Sequence, residues 1–265
     1  MRYERTMDLL ETLSQSRGEL RRQRLIIRDD QYEFSGLQKI LEEAARKKVS
    51  ISLVDSGKLD HLQIEMLSCF PFSFYTSDSV REDLRGLSFL AEILRKKKRP
   101  VYLLLEKNLN GQEELFTDLK SFNSVIISSR ERALDLDWLA RLSRNISTSG
   151  VTLVYYHHQN LEEKLAEISQ KLTWIHVSNR NFSEDQKTML LDLLKEMKKK
   201  KGHLVVHLDR AQSDHFLELL DRHGAFLIFN LPPVEFSSKL YHLEKRWRKK
   251  ELPGEAYYLY PNLMT

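Results

Sequence analysis

The sequence has little of several residue types on which function often depends. One of its 265 residues is cysteine, Cys69, so an internal disulfide and a zinc site with several cysteines are both excluded. Only nine glycines occur, and none forms G-x-G-x-x-G or G-x-x-x-x-G-K-[ST], the loops whose backbone amides hold phosphates. Neither G-x-S-x-G nor H-E-x-x-H is present. We therefore expect no nucleotide-binding loop of these types, no cofactor and no metal site.

Long apolar runs are also missing. No stretch of about 18 apolar residues occurs, and residues 1–20 are charged throughout, unlike a signal peptide or a membrane anchor. Hydrophobic residues make up 41% and charged residues 30% of the chain, which is ordinary for a globular protein. We expect a cytoplasmic protein that does not insert into membranes.

The charge balance is mildly basic, with a formal net charge of +4. The basic residues cluster at 95–99, 198–201 and 245–250, and cations at the ends of helices complement the helix dipole. The first two clusters run directly into strand-like segments, which in a βα barrel lie opposite the active mouth. A basic surface for RNA, DNA or anionic lipid is the alternative, although we expect no nucleic acid partner.

Short, nearly continuous apolar runs recur along the chain and are typical of buried parallel strands. Nine such runs occur: Leu25–Ile27, Val49–Val54, Phe72–Thr76, Val101–Leu105, Val125–Ile127, Val151–Tyr156, Trp174–Val177, Leu204–Leu208 and Ala225–Phe229. Amphipathic segments lie between them, with helical faces such as Leu37, Ile40, Leu41 and Ala44. This alternation predicts an α/β fold of repeated βα units, a (β/α)8 barrel of the TIM type.

Nine runs exceed the eight strands of such a barrel, so one strand-like segment should lie outside it. We expect this to be Phe72–Thr76, because the helical pattern before it is the shortest. The predicted organisation is an N-terminal helical segment over 1–23, a barrel over 24–250 and an aromatic tail over 251–265. Two consecutive Rossmann-like domains are the architectural alternative.

The second half of the chain carries a more specific pattern. Gly150 precedes a strand ending in Tyr-Tyr-His-His, a helix follows, and the next strand leads to Asn179-Arg180-Asn181-Phe182. Further on, Asp209 follows a strand and Gly224 ends the next helix, before a last strand and Leu231-Pro232-Pro233. This stretch of about 90 residues resembles bacterial EAL domains, which hydrolyse cyclic di-GMP. Upstream the resemblance is looser, with Val49–Ser56 in place of the strand that carries the Glu-Ala-Leu motif.

The resemblance also implies that catalysis has been lost. EAL domains hold two divalent cations through acidic and polar groups at strand ends, and such cations require several converging oxygen ligands. The matching positions here hold Ile51, Leu103, Ile126, Tyr156, His157, Val177, Asn179, Asp209 and Phe229. Only Asp209 is a carboxylate, so the resemblance implies a catalytically inactive regulator in bacterial signalling. Its expected partner is another protein, and cyclic di-GMP remains an open ligand.

In a βα barrel the functional residues lie at the carboxyl ends of the strands. Candidates there for contacts with a ligand or partner are Glu106, Arg130, His157, Asn179, Arg180, Asp209, Arg210 and Asn230. We assign none of them a catalytic role. An unrelated barrel enzyme using Glu106, His157 and Asp209 for acid–base chemistry is the main alternative.

Simpler interpretations of individual residues also stand. Asp209 would cap the following helix, and Gly224 would end a helix in a left-handed turn. The tyrosine-rich tail after residue 251 would dock onto the barrel or serve as an arm that binds a partner.

Overall fold

The structure, a computed structural model, describes residues 2–15, 24–109 and 113–230. Nine strands lie within these ranges: β1 (Arg24–Arg28), β2 (Ser50–Val54), β3 (Ser73–Ser77), β4 (Val101–Leu105), β5 (Ser124–Ser128), β6 (Thr152–His157), β7 (Thr173–Ser178), β8 (His203–Leu208) and β9 (Phe226–Phe229). They alternate with helices α1 (Arg2–Gln15), α2 (Phe34–Lys47), α3 (His61–Leu67), α4 (Leu84–Lys96), α5 (Leu115–Leu119), α6 (Leu136–Ser147), α7 (Leu165–Ile168), α8 (Glu184–Lys199) and α9 (Asp214–His223). The predicted α/β class, an N-terminal helix followed by alternating strands and helices as in a (β/α)8 chain, is confirmed.

The described residues form two compact units, one within Met1–Asn108 and Thr117–Asn123, the other within Leu109–Phe116 and Ser124–Thr265. In the first unit β1, β2, β3 and β4 pair in sequence order, all parallel. In the second unit β5 to β9 do the same. Neither order reverses direction as a doubly wound sheet must, so the Rossmann-like alternative fails within each unit. The single barrel over 24–250 stays a prediction.

The helices form where apolar residues recur at helical spacing. In α2 the residues Leu37, Ile40, Leu41 and Ala44 are all buried, as their spacing predicts, and in α8 Leu190, Leu193, Leu194 and Met197 form the buried stripe.

Polar residues fix the helix starts: the side chains of Asp60, Ser183 and Ser213 accept hydrogen bonds from the third residue of α3, α8 and α9. Gly224, with φ of 92°, ends α9 in the predicted left-handed turn.

Two expectations about the strands and caps are wrong. Phe72–Thr76 is expected outside the barrel, but β3 is a regular strand that pairs with β2 on one side and β4 on the other. A short helix suffices for this crossover because the capping box of Asp60 and Gln63 stabilises α3 at seven residues. Asp209 does not cap α9, since Ser213 does.

The position of β3 also changes the family comparison. The upstream part of the EAL resemblance counts eight strands only if β3 is left out. In the structure β3 is a strand of the sheet, paired with β2 and β4. The resemblance therefore depends on β6 to β9 and the loops after them. No helix among the described residues is long and apolar enough to cross a membrane. The predictions for Lys245–Lys250, Pro232–Pro233 and the tail lie outside the described residues.

Candidate functional site

A buried polar residue follows each of β1, β2, β3, β5 and β7, and one structural role recurs among these residues. The first residue after β1 is Asp29, whose Oδ1 accepts a hydrogen bond of 2.9 Å from the backbone N–H of Ser56, just beyond β2. The first residue after β3 is Asp78, whose Oδ1 likewise accepts a hydrogen bond from the backbone N–H of Glu106, just beyond β4. A side chain at the end of one strand thus holds the backbone at the end of the next.

Asp78 is the most extensively bonded of these residues and is fully buried. Its Oδ1 accepts from the N–H of Glu106 at 2.7 Å, and both of its oxygens lie within 3.2 Å of the N–H of Lys107. Its Oδ2 accepts from the backbone N–H and the side-chain Nδ2 of Asn108, both at 2.9 Å. This carboxylate therefore acts as the acceptor that shapes the turn after β4.

The first residue after β2 is held differently. The Asp55 carboxylate forms an ion pair with Arg81, with Nε to Oδ2 at 2.5 Å and Nη2 to Oδ1 at 2.8 Å. The Asp55 side chain is completely buried and Arg81 is 12% exposed. Thr76 donates to the same carboxylate at 2.7 Å, and Arg81 also reaches the carbonyl oxygen of Leu59. The pair fastens the loop after β2 to the loop after β3.

Asp29 differs from both in being incompletely bonded. Its Oδ2 is buried and has no hydrogen-bond partner among the described residues. Burial raises the pKa of this carboxyl, and the nearby Asp55 adds to the effect, although hydrogen bonds from Ser56 work against it. The surroundings of Asp29 therefore disfavour its charged form.

The second unit repeats this arrangement with neutral residues. Ser129 follows β5, and its hydroxyl accepts from the N–H of His158 beyond β6 at 2.9 Å. Asn179 follows β7, and its Oδ1 accepts from the N–H groups of Asp209 and Arg210 at 2.8 and 3.0 Å. The acceptors after β1, β3, β5 and β7 thus recur about every 50 residues, the signature of an internal repeat of two βα units.

Five of the eight candidate residues come together at the ends of β7, β8 and β9. We name this set the Asp209 cluster: Asn179, Arg180, Asp209, Arg210 and Asn230. Asp209 Oδ2 accepts from Ser178 at 2.6 Å and lies 3.6 Å from Arg180 Nε, while Oδ1 accepts from Asn230 at 2.9 Å. Asn179 also donates to the carbonyl oxygen of Arg210 at 2.6 Å. The cluster's carboxylate is therefore occupied by neighbouring side chains.

The remaining three candidates have their own local contacts. Glu106, in the first unit, accepts a hydrogen bond from Ser79, and Arg130, in the second, is exposed after β5. His157 ends β6 and is 3% exposed. Its Nδ1 lies 3.1 Å from the Tyr155 hydroxyl and its Nε2 lies 3.0 Å from the carbonyl oxygen of Asn160. Burial lowers the pKa of His157 and raises that of Tyr155 to about 12.

Sequence reasoning missed a buried pair of histidines in the second unit. His176 on β7 and His207 on β8 are both fully buried, and Tyr156 on β6 packs against them with ring centroids 4.4 and 6.5 Å away. The alternation of His203, Val205 and His207 along β8 is the signal that could have found them, because such positions share one face of a strand. Burial lowers the pKa of His207 to about 4, and it lowers that of His176 well below its ordinary value.

The chemistry open to these residues is limited. A pair of divalent cations needs several free carboxylate oxygens pointing at one place. Among the described residues, no group of three or more histidine, cysteine, aspartate or glutamate side chains is arranged to hold a metal ion. The polar groups at the strand ends serve mainly as hydrogen-bond acceptors for neighbouring loops, with Arg180 and Arg210 exposed beside them.

No protein-family model and no curated protein matches the sequence. Solved structures that are similar include a tryptophan synthase complex from Pyrococcus furiosus, with 14% identity over 86% of this chain and 93% of that chain and a TM-score of 0.35. A 3-dehydroquinate dehydratase from Aquifex aeolicus VF5 is 14% identical over 86% of this chain and 99% of that chain, with a TM-score of 0.34. The YdjI aldolase from Escherichia coli K12 is 14% identical over 80% of this chain and 90% of that chain, with a TM-score of 0.33. Likenesses at these scores assign no function to this chain.

Proposed function

We propose that this chain is a non-catalytic regulatory protein that acts through contacts with other proteins, in the cytoplasm of a bacterium, as its resemblance to EAL domains implies. One observation carries the proposal: the polar side chains at the strand ends are bonded to neighbouring loops. Asp55 is paired with Arg81, and Asp78 accepts from the chain at Glu106–Asn108. Carboxylates used in this way have few lone pairs left for metal ions or substrates.

Asn179 supports the proposal at a position where the resemblance implies an aspartate. Both ends of its amide are in use, because the oxygen accepts from two backbone N–H groups and the nitrogen donates to the carbonyl oxygen of Arg210. A carboxylate could accept the first two bonds but could not donate the third. The residue is thus suited to its structural role, and a metal ligand at this position would break that bond.

Protein contacts are favoured by apolar side chains exposed in the first unit. Leu62 and Met66 lie one turn apart on α3 and are 66% and 50% exposed, and Phe89 on the neighbouring α4 is 63% exposed. Single exposed apolar residues are common, whereas large ones on adjacent helices are typical of interaction surfaces. We name Leu62, Met66 and Phe89 the α3–α4 surface.

The loss of catalysis is tested by incubating the purified chain with cyclic di-GMP and either Mg²⁺ or Mn²⁺. We expect no hydrolysis, because Asp209 is the single acid among the matched positions and is already bonded to Ser178 and Asn230. Turnover that disappears in Asp209→Asn would refute the proposal. Calorimetric titration of cyclic di-GMP, with and without Mg²⁺, separates a receptor that binds without metal from a chain that acts through proteins alone.

The contact surface is tested by cross-linking the intact chain to its partners in cells. We expect Leu62→Glu and Phe89→Glu to abolish the cross-linked species, because a buried charge without a partner is strongly unfavourable in an interface. Met7→Glu is the matched control, since Met7 on α1 is also 50% exposed and lies outside the α3–α4 surface. Equal loss in all three variants, or no loss in any, would contradict the assignment of this surface.

A further inference from the structure

Three lysines adopt a backbone conformation that usually favours glycine. Lys48, Lys98 and Lys201 have φ of 58°, 59° and 61°, and each lies between the end of a helix and the next strand. Gly150 and Gly224 occupy equivalent places before β6 and β9, with φ of 79° and 92°. A side chain in this region costs about 1 kcal/mol or more relative to glycine. Each of these lysines also places a cation at the carboxyl end of a helix, where it complements the helix dipole.

Two of these lysines line one pocket at the amino-terminal edge of β2, β3 and β4. The pocket has a volume of about 420 Å³, which lies within the range of sites for small ligands. We name it the Lys48–Lys98 pocket, and the residues that define it are Lys48, Lys98, Arg99, Pro71, Phe72 and Pro100. It lies at the opposite end of these strands from Asp55, Asp78 and Glu106.

The pocket carries positive charge that no carboxylate neutralises among the residues described. Neither Lys48 nor Lys98 forms an ion pair there, and no acidic side chain lines the pocket. Arg99 is held in place through Nε and Nη2, which donate to the carbonyl oxygens of Ser68 and Cys69 at 3.0 and 3.4 Å. The guanidinium is therefore positioned by neutral acceptors and keeps its full charge.

The charge balance of the pocket suits a phosphate group. Helices α2 and α4 end just before Lys48 and Lys98, and each helix end contributes about half a negative charge. Three cations less about one charge from the two helix ends leave about two positive charges, while a phosphate monoester carries about −1.5 to −2 at neutral pH. The rings of Pro71 and Pro100 line the pocket and offer an apolar surface for the carbon part of the ligand.

We infer that the Lys48–Lys98 pocket binds a small phosphate-bearing ligand. The pocket is a binding site only, distinct from the Asp209 cluster and from the α3–α4 surface. Its volume of about 420 Å³ is enough for one small phosphorylated molecule. Because the interaction is electrostatic and the lysines are exposed, the affinity falls as salt is added.

The test is calorimetric titration of inorganic pyrophosphate into the full chain at low salt. A parallel NMR titration follows the backbone amides of Ser50 and Ser73, which lie at the pocket. We expect saturable binding that shifts these amides, and an affinity lower by about tenfold or more in Lys48→Gly and in Lys98→Gly, since a charge-assisted hydrogen bond is lost. Glycine is chosen because it accepts the left-handed backbone without strain, so both variants should fold.

Lys201→Gly is the matched control: it makes the same substitution at a left-handed lysine before β8, in the second unit, and should leave the affinity unchanged. The inference is overturned if pyrophosphate does not bind at millimolar concentration, or if Lys48→Gly and Lys98→Gly bind as the parent chain does. It is also overturned if pyrophosphate fails to bind while an RNA oligonucleotide or phosphatidylserine vesicles bind in a salt-dependent way. That result would assign the lysines to an extended surface.

Discussion

The Nδ1 atom of His176 lies 2.9 Å from the Nε2 atom of His207, and both imidazoles are completely buried. A hydrogen bond between two imidazoles requires one nitrogen to carry a proton and the other to accept it, so the pair is bonded while at least one ring is neutral. If both rings took up an additional proton, two positive charges would lie side by side in the interior. The fold is thus matched to the neutral form of both residues.

The stability of the protein should therefore depend on pH in a definite direction. Both pKa values are depressed in the folded chain, so protons bind the unfolded chain first as the pH falls below about 6.5. Stability is fully present above that pH and declines towards pH 4, the approximate pKa of His207. His207 alone contributes a decline of about 3 kcal/mol, since one pKa unit is about 1.4 kcal/mol.

Urea unfolding at several pH values between 7.5 and 4.5 measures this slope. In His207→Leu the decline should become shallower, because one of the two titrating groups has been removed. His215→Gln serves as the control, since His215 is exposed on α9. An unchanged slope in His207→Leu, with the protein still folded, would show that other groups control the acid sensitivity.

Removing the Asp78 carboxylate should weaken the first unit strongly. Asp78→Ala leaves the N–H groups of Glu106, Lys107 and Asn108 without their shared acceptor. Each such loss is worth about 1–3 kcal/mol and the losses overlap, so we expect a decrease of about 2–5 kcal/mol in the free energy of unfolding. Chemical denaturation measures it, with Glu82→Gln as an exposed control that should change little. A decrease no larger than in the control would contradict the structural role of Asp78.

The Asp55–Arg81 pair should behave as a buried ion pair. Arg81→Met leaves a buried carboxylate without its cation and should destabilise the protein by about 3–5 kcal/mol. The double variant Asp55→Asn, Arg81→Met removes that unpaired charge and should recover a large part of the loss. A double-mutant cycle with both single variants measures the coupling. Additive effects would mean that the two side chains do not depend on one another.

The amide of Asn179 should not be replaceable by a carboxylate. In Asn179→Asp the oxygen that replaces Nδ2 would face the carbonyl oxygen of Arg210, and the bond of 2.6 Å would be lost. We expect a loss of about 1–3 kcal/mol in thermal or chemical unfolding at pH 7. Asn230→Ala, an exposed member of the Asp209 cluster, should change stability less. Full stability in Asn179→Asp would remove the argument that this position is structural.

The strands could be predicted from the sequence because the pattern of a buried parallel strand is local. Runs such as Val101–Leu105 and Leu204–Leu208 are contiguous and apolar, and both are strands in the structure. Phe72–Thr76 was misjudged because the helical pattern before it is the shortest, although a helix of seven residues is enough to connect β2 and β3. Tyr75 stacks on Tyr102 of β4 with ring centroids 4.4 Å apart, a partner 27 residues away that the run itself cannot reveal.

Several polar residues at the strand ends could be located from the sequence, but neither Asp78 nor the structural role that these residues share could be. Asp78, in the segment Ser-Asp-Ser, reads as an ordinary loop residue because its partners are backbone N–H groups, which every residue except proline carries. Asn179 and Asp209 were assigned to the site, and the structure brings them together through Asn179 Oδ1 and the N–H of Asp209. The distinction between a ligand-binding group and a structural acceptor depends on these distances.

The contacts from β1 to β2, β3 to β4, β5 to β6 and β7 to β8 have a direction, because a side chain after the first strand supplies the acceptor and the chain after the second supplies mainly backbone N–H groups. Ser56, Glu106, His158 and Asp209 are thus held by an atom that any replacement except proline would also provide. Their side chains can be exchanged while the contact is kept. The residue that supplies the acceptor side chain is therefore more constrained than the residue that supplies the N–H. A new binding specificity can be introduced at the residues that supply the N–H with small risk to the fold.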